Sequence, residues 1–271
     1  MPGTLLAEPY ADAQQWRELV KNFSHEAIAH KLLLAHIPYV FRGEPAKYAV
    51  FRRIVADEFG VHPTDVFIVG SAMAGRGLKG RDIEQEYSPK SDIDALIVSE
   101  HLFTSLLMQS LEWVRDVTKS KRNEDGSYDE RTLDEKQINS LRHLAENACK
   151  GIWRPDSLPG KAQAREEFFS RFDKISFHTL GLQLSDDIVA NVNGRVARSF
   201  ECAVTDLASS IYRLKKEFED IDNARNSSTL KVQQPMAPQV EKKGTEIEES
   251  GAAVTSKGRQ GVASEGDRKK T

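Results

Sequence analysis

Apolar positions recur with helical spacing at the start of the chain, switch twice to short continuous runs, and then return to helical spacing. Residues 24–38 read as a helix capped by Ser24 and ended by Pro38. Residues 45–59 read as a second. Pro45 suits a first helical position, Tyr48, Phe51, Val55 and Phe59 share one face, and Gly60 supplies a left-handed stop. Residues 65–69 are short, apolar and β-branched, bounded by His62-Pro63 and Gly70-Ser71, which predicts a buried strand. A glycine-rich loop is expected over 72–90. A second strand is expected over 92–98, alternating at its start and continuously apolar at its end.

The remainder reads as mainly helical. Phe103, Leu107, Leu111, Val114 and Thr118 mark one helix, and a polar loop covers 121–129. Thr132 and Glu135 have capping-box spacing ahead of Ile138, Leu141, Ala145 and Ala148. Residues 151–160 read as an irregular connector, and Phe168, Phe169 and Phe172 as a short helix. A weak strand is expected over 188–196, broken by a hairpin turn at Asn193-Gly194. Apolar residues at 204, 207, 211, 214 and 218 define a last long helix from Phe200. The pattern therefore gives an α/β (α+β) class: a small mixed sheet with flanking helices and a mainly helical C-terminal half.

Composition changes one part of this picture. The last aromatic residue is Phe218, and residues 222–271 are rich in Lys, Glu, Ser, Gly and Gln. Such a segment buries too little apolar area to offset its ordering entropy, so a disordered tail is expected there. Three parts follow: an N-terminal helical segment over 1–43, a domain over 44–221 and the tail over 222–271. The whole chain of 271 residues carries a formal charge of −3. The tail holds nine basic against seven acidic residues, which leaves −5 on the rest and argues against a nucleic-acid coat. The N-terminus has no signal-peptide pattern and no apolar run is long enough to span a bilayer, so a cytoplasmic protein without a membrane partner is expected. Cys149 and Cys202 lack metal-site spacing and read as buried thiols.

Chemistry concentrates in two short strings, Val69-Gly70-Ser71 and Ser91-Asp92-Ile93-Asp94. Carboxylates two apart on a strand project from one face and can converge on a hard cation. A Gly-Ser turn lets the backbone approach phosphate oxygens closely and adds a hydroxyl. If the two strands are antiparallel neighbours, the end of the first lies beside the start of the second, and phosphate cradle and carboxylates meet. That arrangement suits a nucleoside triphosphate held with magnesium. The string Gly75-x-Gly77-x-x-Gly80 matches a dinucleotide fingerprint formally, but it neither follows a strand directly nor opens a helix, and is set aside.

Ile68-Val69-Gly70-Ser71 followed by Ser91-Asp92-Ile93-Asp94-Ala95-Leu96-Ile97-Val98 resembles the signature of the polymerase-beta-like nucleotidyltransferases, over about residues 44–100. The resemblance implies that Asp92 and Asp94 ligate Mg2+ (or Mn2+). It also implies nucleotide-binding roles for Gly70, Ser71, Arg76 and Ser91, and transfer of a nucleotidyl group from a nucleoside triphosphate to an acceptor: nucleic acid, protein or small molecule. The family usually supplies a third carboxylate from a later strand. Asp187 is the first candidate and Glu201 the next. Without one, the same fold implies a nucleotide-sensing or partner-binding subunit, as in a bacterial toxin–antitoxin or phage-defence system. The basic residues Arg213, Lys215 and Lys216 on the last helix read as a solvated surface.

Overall fold

The structure, a computed structural model, describes residues 13–34, 37–78, 85–88, 90–119, 121–122, 128–129, 133–182 and 191–232. Residues 1–228 form one compact unit; of the other, 229–271, the described part is the end of a helix. The class is mixed α+β. Eight α-helices and a small four-stranded mixed sheet are present among the described residues.

The N-terminal helices are α1 (Ala13–Asn22), α2 (His25–Leu34) and α3 (Pro45–Phe59). Ser24 Oγ accepts from Ala27 N at 3.2 Å, capping α2 as its position suggests. Pro45 opens α3, and Gly60 closes it in the left-handed conformation. Phe51, Val55 and Phe59 are buried along the face that their spacing marks. Strand β1 (Val66–Val69) leads into the single turn α4 (Ser71–Ala74), and strand β2 (Ile93–Val98) into α5 (Glu100–Thr118). The stretch expected as plain loop thus holds a helical turn and an isolated bridge between Arg76 and Glu86.

Beyond α5 a two-residue ladder pairs β3 (Lys121–Arg122) with β4 (Tyr128–Asp129), inside the segment expected to be loop. Helix α6 (Glu135–Cys149) is capped by Asp134, which bonds reciprocally with Gln137, so the capping box lies two residues after the Thr132 position. The 151–160 connector contains β5 (Ile152–Trp153), and α7 (Gln163–Leu180) is long rather than short because Ile175 and Thr179 continue its buried face. Strand β6 (Val192–Ala197) runs straight through Asn193-Gly194, so no hairpin turn forms there. The reason is tertiary. A Cβ on Gly194 would stand 2.2 Å from Phe172 Cζ, so the glycine is where α7 packs against the strand.

Sheet order is β1-β2-β6-β5, with β1 and β5 antiparallel to their neighbours and β6 parallel to β2. One face of the sheet packs on Phe59, Phe168 and Phe172, whose rings lie 5.0–5.2 Å apart, with Trp153 4.7 Å from Phe168. The last helix, α8 (Phe200–Val232), buries Val204, Leu207, Ile211, Leu214 and Phe218. It continues past residue 222, where the tail was expected to begin. There Asp222 pairs with Arg17 and with Lys21, the latter at 2.7 Å, fastening that turn to α1. Residues 233–271 lie outside the described residues. Both cysteines are free, and Cys149 is exposed rather than buried, with Cys202 half-buried. No described helix is long and apolar enough to cross a membrane.

Candidate functional site

The antiparallel β1–β2 pair places Val69 opposite Asp94, so the Gly70-Ser71 turn emerges beside the carboxylate. Gly70 makes this approach possible in two ways. Its φ of 74° with ψ of −154° is a conformation that side-chain-bearing residues avoid, and a Cβ there would lie 2.8 Å from Asp94 Oδ2. Asp92 stands just ahead of β2 and is exposed, two residues from Asp94.

Strand β6 completes the arrangement from the other side. Its parallel register sets Asn193 against Asp94. Asn193 Nδ2 donates to Asp92 Oδ2 at 3.0 Å, and Asn191 Nδ2 donates to Asp92 Oδ1 at 2.9 Å. Both oxygens of Asp92 therefore accept an amide hydrogen. Tyr87, nearly buried, donates its hydroxyl to the Ser91 carbonyl at 3.0 Å, which steadies the entry to β2. Burial, followed by the charges of Asp92 and Asp94, pushes the Tyr87 hydroxyl up to about 12.

A cavity of about 610 Å3 opens here, with Gly70, Ser71, Tyr87, Ser91 and Asp94 among its lining, and Arg213 of α8 on its wall. A smaller one of about 260 Å3 lies toward β5, lined in part by Asp156, Phe169 and Asn193. The two share Asp94, Arg154 and Arg195. Arg154 and Arg195 both grip Asp206 of α8: Arg154 Nη2 lies 3.0 and 3.2 Å from its two oxygens, and Arg195 Nη2 lies 3.0 Å from Oδ2. Burial lowers the pKa of the Arg195 guanidinium, against the opposing pull of Asp206.

The donor set at Asp92 and Asp94 fits a hard divalent cation. Mg2+ uses one or two carboxylates and fills its remaining positions with water and phosphate oxygens. Among the described residues no group of three or more His, Cys, Asp or Glu could hold a metal, so these two carboxylates stand without a third.

Of the residues singled out from sequence, Gly70, Ser71, Ser91 and Asp94 line one cavity, with Asp92 two residues from Asp94. Arg76 does not join them; it is buried, 4.0 Å from Glu86. Asp187 lies outside the described residues. Glu201 lies in the first turn of α8, just past the end of β6 that pairs with Val98, so it sits at the opposite end of the sheet from Asp94. A hydrogen bond from Ser199 holds its carboxyl below the usual range. Sequence reasoning missed Tyr87, Asn191, Asn193, Arg154, Arg195 and Asp206, and read Arg213 as plain surface. Only Asn193 carried a signal, the register of a strand parallel to β2, and its Asn-Gly pair disguised it. Comparison of the chain with known protein families, with curated proteins and with solved structures finds no match.

Proposed function

We propose that this chain is a nucleotidyltransferase of the polymerase-beta-like kind, moving a nucleotidyl group from a nucleoside triphosphate to an acceptor hydroxyl with release of pyrophosphate. The observation that carries this reading is the close approach of Gly70 to Asp94, which puts the Gly-Ser turn beside the two carboxylates. The Ser71 hydroxyl and its turn would take phosphate oxygens, and Arg213, which shares the cavity lining with Glu217, offers a guanidinium to them. Mg2+ or Mn2+ held by Asp92 and Asp94 would neutralise phosphate charge and polarise an attacking oxygen. Asn191 and Asn193 keep Asp92 oriented, and Tyr87 keeps Ser91, and so the start of β2, in place.

The test is incubation with labelled nucleotides, Mg2+ or Mn2+, and pools of nucleic-acid, protein and small-molecule acceptors. Labelling is expected in the native chain and is lost in the Asp92→Ala/Asp94→Ala double variant. Labelling undiminished in that variant overturns the reading.

A second reading has its own support. Asn193 stands in register with Asp94, on the strand where the family's third carboxylate would be sought. A site with two carboxylates and an amide suits nucleotide binding without turnover, in a sensing or partner-binding subunit. Calorimetry separates the two: tight Mg2+-dependent nucleotide binding with no labelling of any acceptor favours sensing.

A further inference from the structure

The cluster formed by Arg154, Arg195 and Asp206 is not used by the reading above. We propose that it is an anion subsite, taking a phosphoryl group of the acceptor on the β5–β6 side of Asp94. The acceptor role and the coupling to a cation on Asp94 rest on the nucleotidyl-transfer reading; the phosphoryl site itself does not.

Charge is the first argument. Asp206 engages both arginines, with Asp94 and Asp156 also near, yet the Nε of each arginine is buried and has no hydrogen-bond partner among the described residues. Fastening α8 to the sheet needs only one arginine, because Arg154 alone meets both Asp206 oxygens. The side chain of Arg195 is 18% exposed, and an unpaired Nε–H held that far from water is costly. The negative charge that balances its guanidinium comes chiefly from Asp206, with smaller shares from Asp94 and Asp156. A divalent cation on Asp94 more than cancels that carboxylate and tips the whole cluster from net negative toward net positive. An anion then completes the set, so cation and phosphate bind with positive coupling.

Shape is the second argument. The smaller cavity is bounded by Asp94, Asn193, Arg154, Arg195, Asp156 and Phe169, and does not reach Gly70 or Ser71. Its volume of about 260 Å3 is below the roughly 300 Å3 at which pockets for drug-sized ligands begin. It therefore fits a sugar phosphate or the end of a larger acceptor, not a second nucleoside triphosphate. The half-buried Phe169 ring gives that end an apolar face. The donor thus lies toward Ser71 and the phosphate-bearing acceptor toward Asp156 and Phe169, with Asp94, Arg154 and Arg195 on the boundary the two cavities share.

Calorimetry on the full chain tests this with inorganic phosphate and AMP as probes, each titrated with and without Mg2+ and with and without a saturating non-hydrolysable ATP analogue. Both probes are expected to bind in the presence of the analogue, more tightly with Mg2+, and Arg154→Gln is expected to weaken them about tenfold or more and to weaken the analogue by a smaller factor. Competition between phosphate and the analogue on the native chain overturns the proposal, because the arginines would then hold the donor's own phosphates. Probe affinity unchanged in Arg154→Gln, shown to be folded by thermal melting, overturns it too. Probe binding that depends on Arg154, in a chain that ignores the ATP analogue, sustains the subsite and removes the nucleotidyl-transfer reading instead.

Discussion

Gly70→Ala is the substitution on which the site reasoning stands or falls. The alanine has to adopt φ near 74° and ψ near −154°, a region costing about 1–3 kcal/mol for a residue with a Cβ. Its methyl would also stand 2.8 Å from Asp94 Oδ2. The carboxylate is the free end of a side chain and can rotate away, at a further cost of about 0.5–1.5 kcal/mol for leaving its rotamer. Total destabilisation of about 2–4 kcal/mol is expected, read by equilibrium urea unfolding followed through tryptophan fluorescence. The two components separate in a double-mutant cycle. In an Asp94→Ala background the nearest contact disappears and the backbone component remains, so Gly70→Ala should cost about 0.5–1.5 kcal/mol less than in the native chain. The displaced carboxylate should also lower nucleotidyl labelling by about a hundredfold, the scale of an ångström's misplacement at a reacting centre. Equal unfolding costs in both backgrounds, together with native labelling by Gly70→Ala, would refute the claim that the turn and Asp94 form one site.

Three other perturbations probe the site and its frame. Asn193→Asp places a third carboxylate opposite Asp94 and should tighten Mg2+ binding by about tenfold in calorimetry while lowering the melting temperature in metal-free buffer, because three like charges then share one strand end. Trp153→Phe removes the indole that donates to Ser110 Oγ at 2.9 Å in the core and should cost about 2 kcal/mol in urea unfolding, with labelling unchanged. The Asp222 carboxyl is held below its ordinary range by its hydrogen bond to Lys21, with Arg17 adding to the effect. Its contribution is therefore full above about pH 4 and lost as pH falls through the lowered value, so Asp222→Asn should lower the melting temperature slightly at neutral pH and converge with the native chain in acid.

Much of the fold was legible because its signals are local. Pro45 and Gly60 bracket α3, and β1 and β2 are apolar runs bounded by turn residues. Their antiparallel adjacency was the assumption that brought Gly70 to Asp94, and the register bears it out. Elements that depend on distant partners were not legible. The two residues of β5 are too few to show a period, and only pairing with β6 makes them a strand. Asn193-Gly194 has turn chemistry, but the parallel ladder to β2 and the Phe172 ring against Gly194 override it. Exposed Phe177 blurs the apolar stripe of α7, whose buried face nonetheless runs on to Thr179. The site divides in the same way. Its carboxylates share one short string, whereas Arg154, Arg195 and Asp206 come from three separate segments and acquire meaning only where the sheet and α8 bring them together.

The asparagines orient Asp92 by contacts that need no cation. Three carboxylates at one strand end repel each other and depend on a cation to stay in place. Here Asn191 and Asn193 each donate to Asp92, so each of its oxygens is oriented by a neutral partner. A carboxylate oxygen has two acceptor positions, and one amide hydrogen leaves the other open to a cation. On the far side, Arg195 supplies positive charge near Asp94, which lessens repulsion between Asp94 and Asp92. The strand end is thus stabilised by amides and a guanidinium, groups that remain whether or not a cation is bound. The trade is in affinity. A neutral amide attracts Mg2+ less than a third carboxylate would, and a nearby guanidinium opposes it. If the site takes a nucleotide as proposed, cation binding is expected to depend on the phosphates that arrive with it, the nucleotide supplying the ligand that a third carboxylate would otherwise provide.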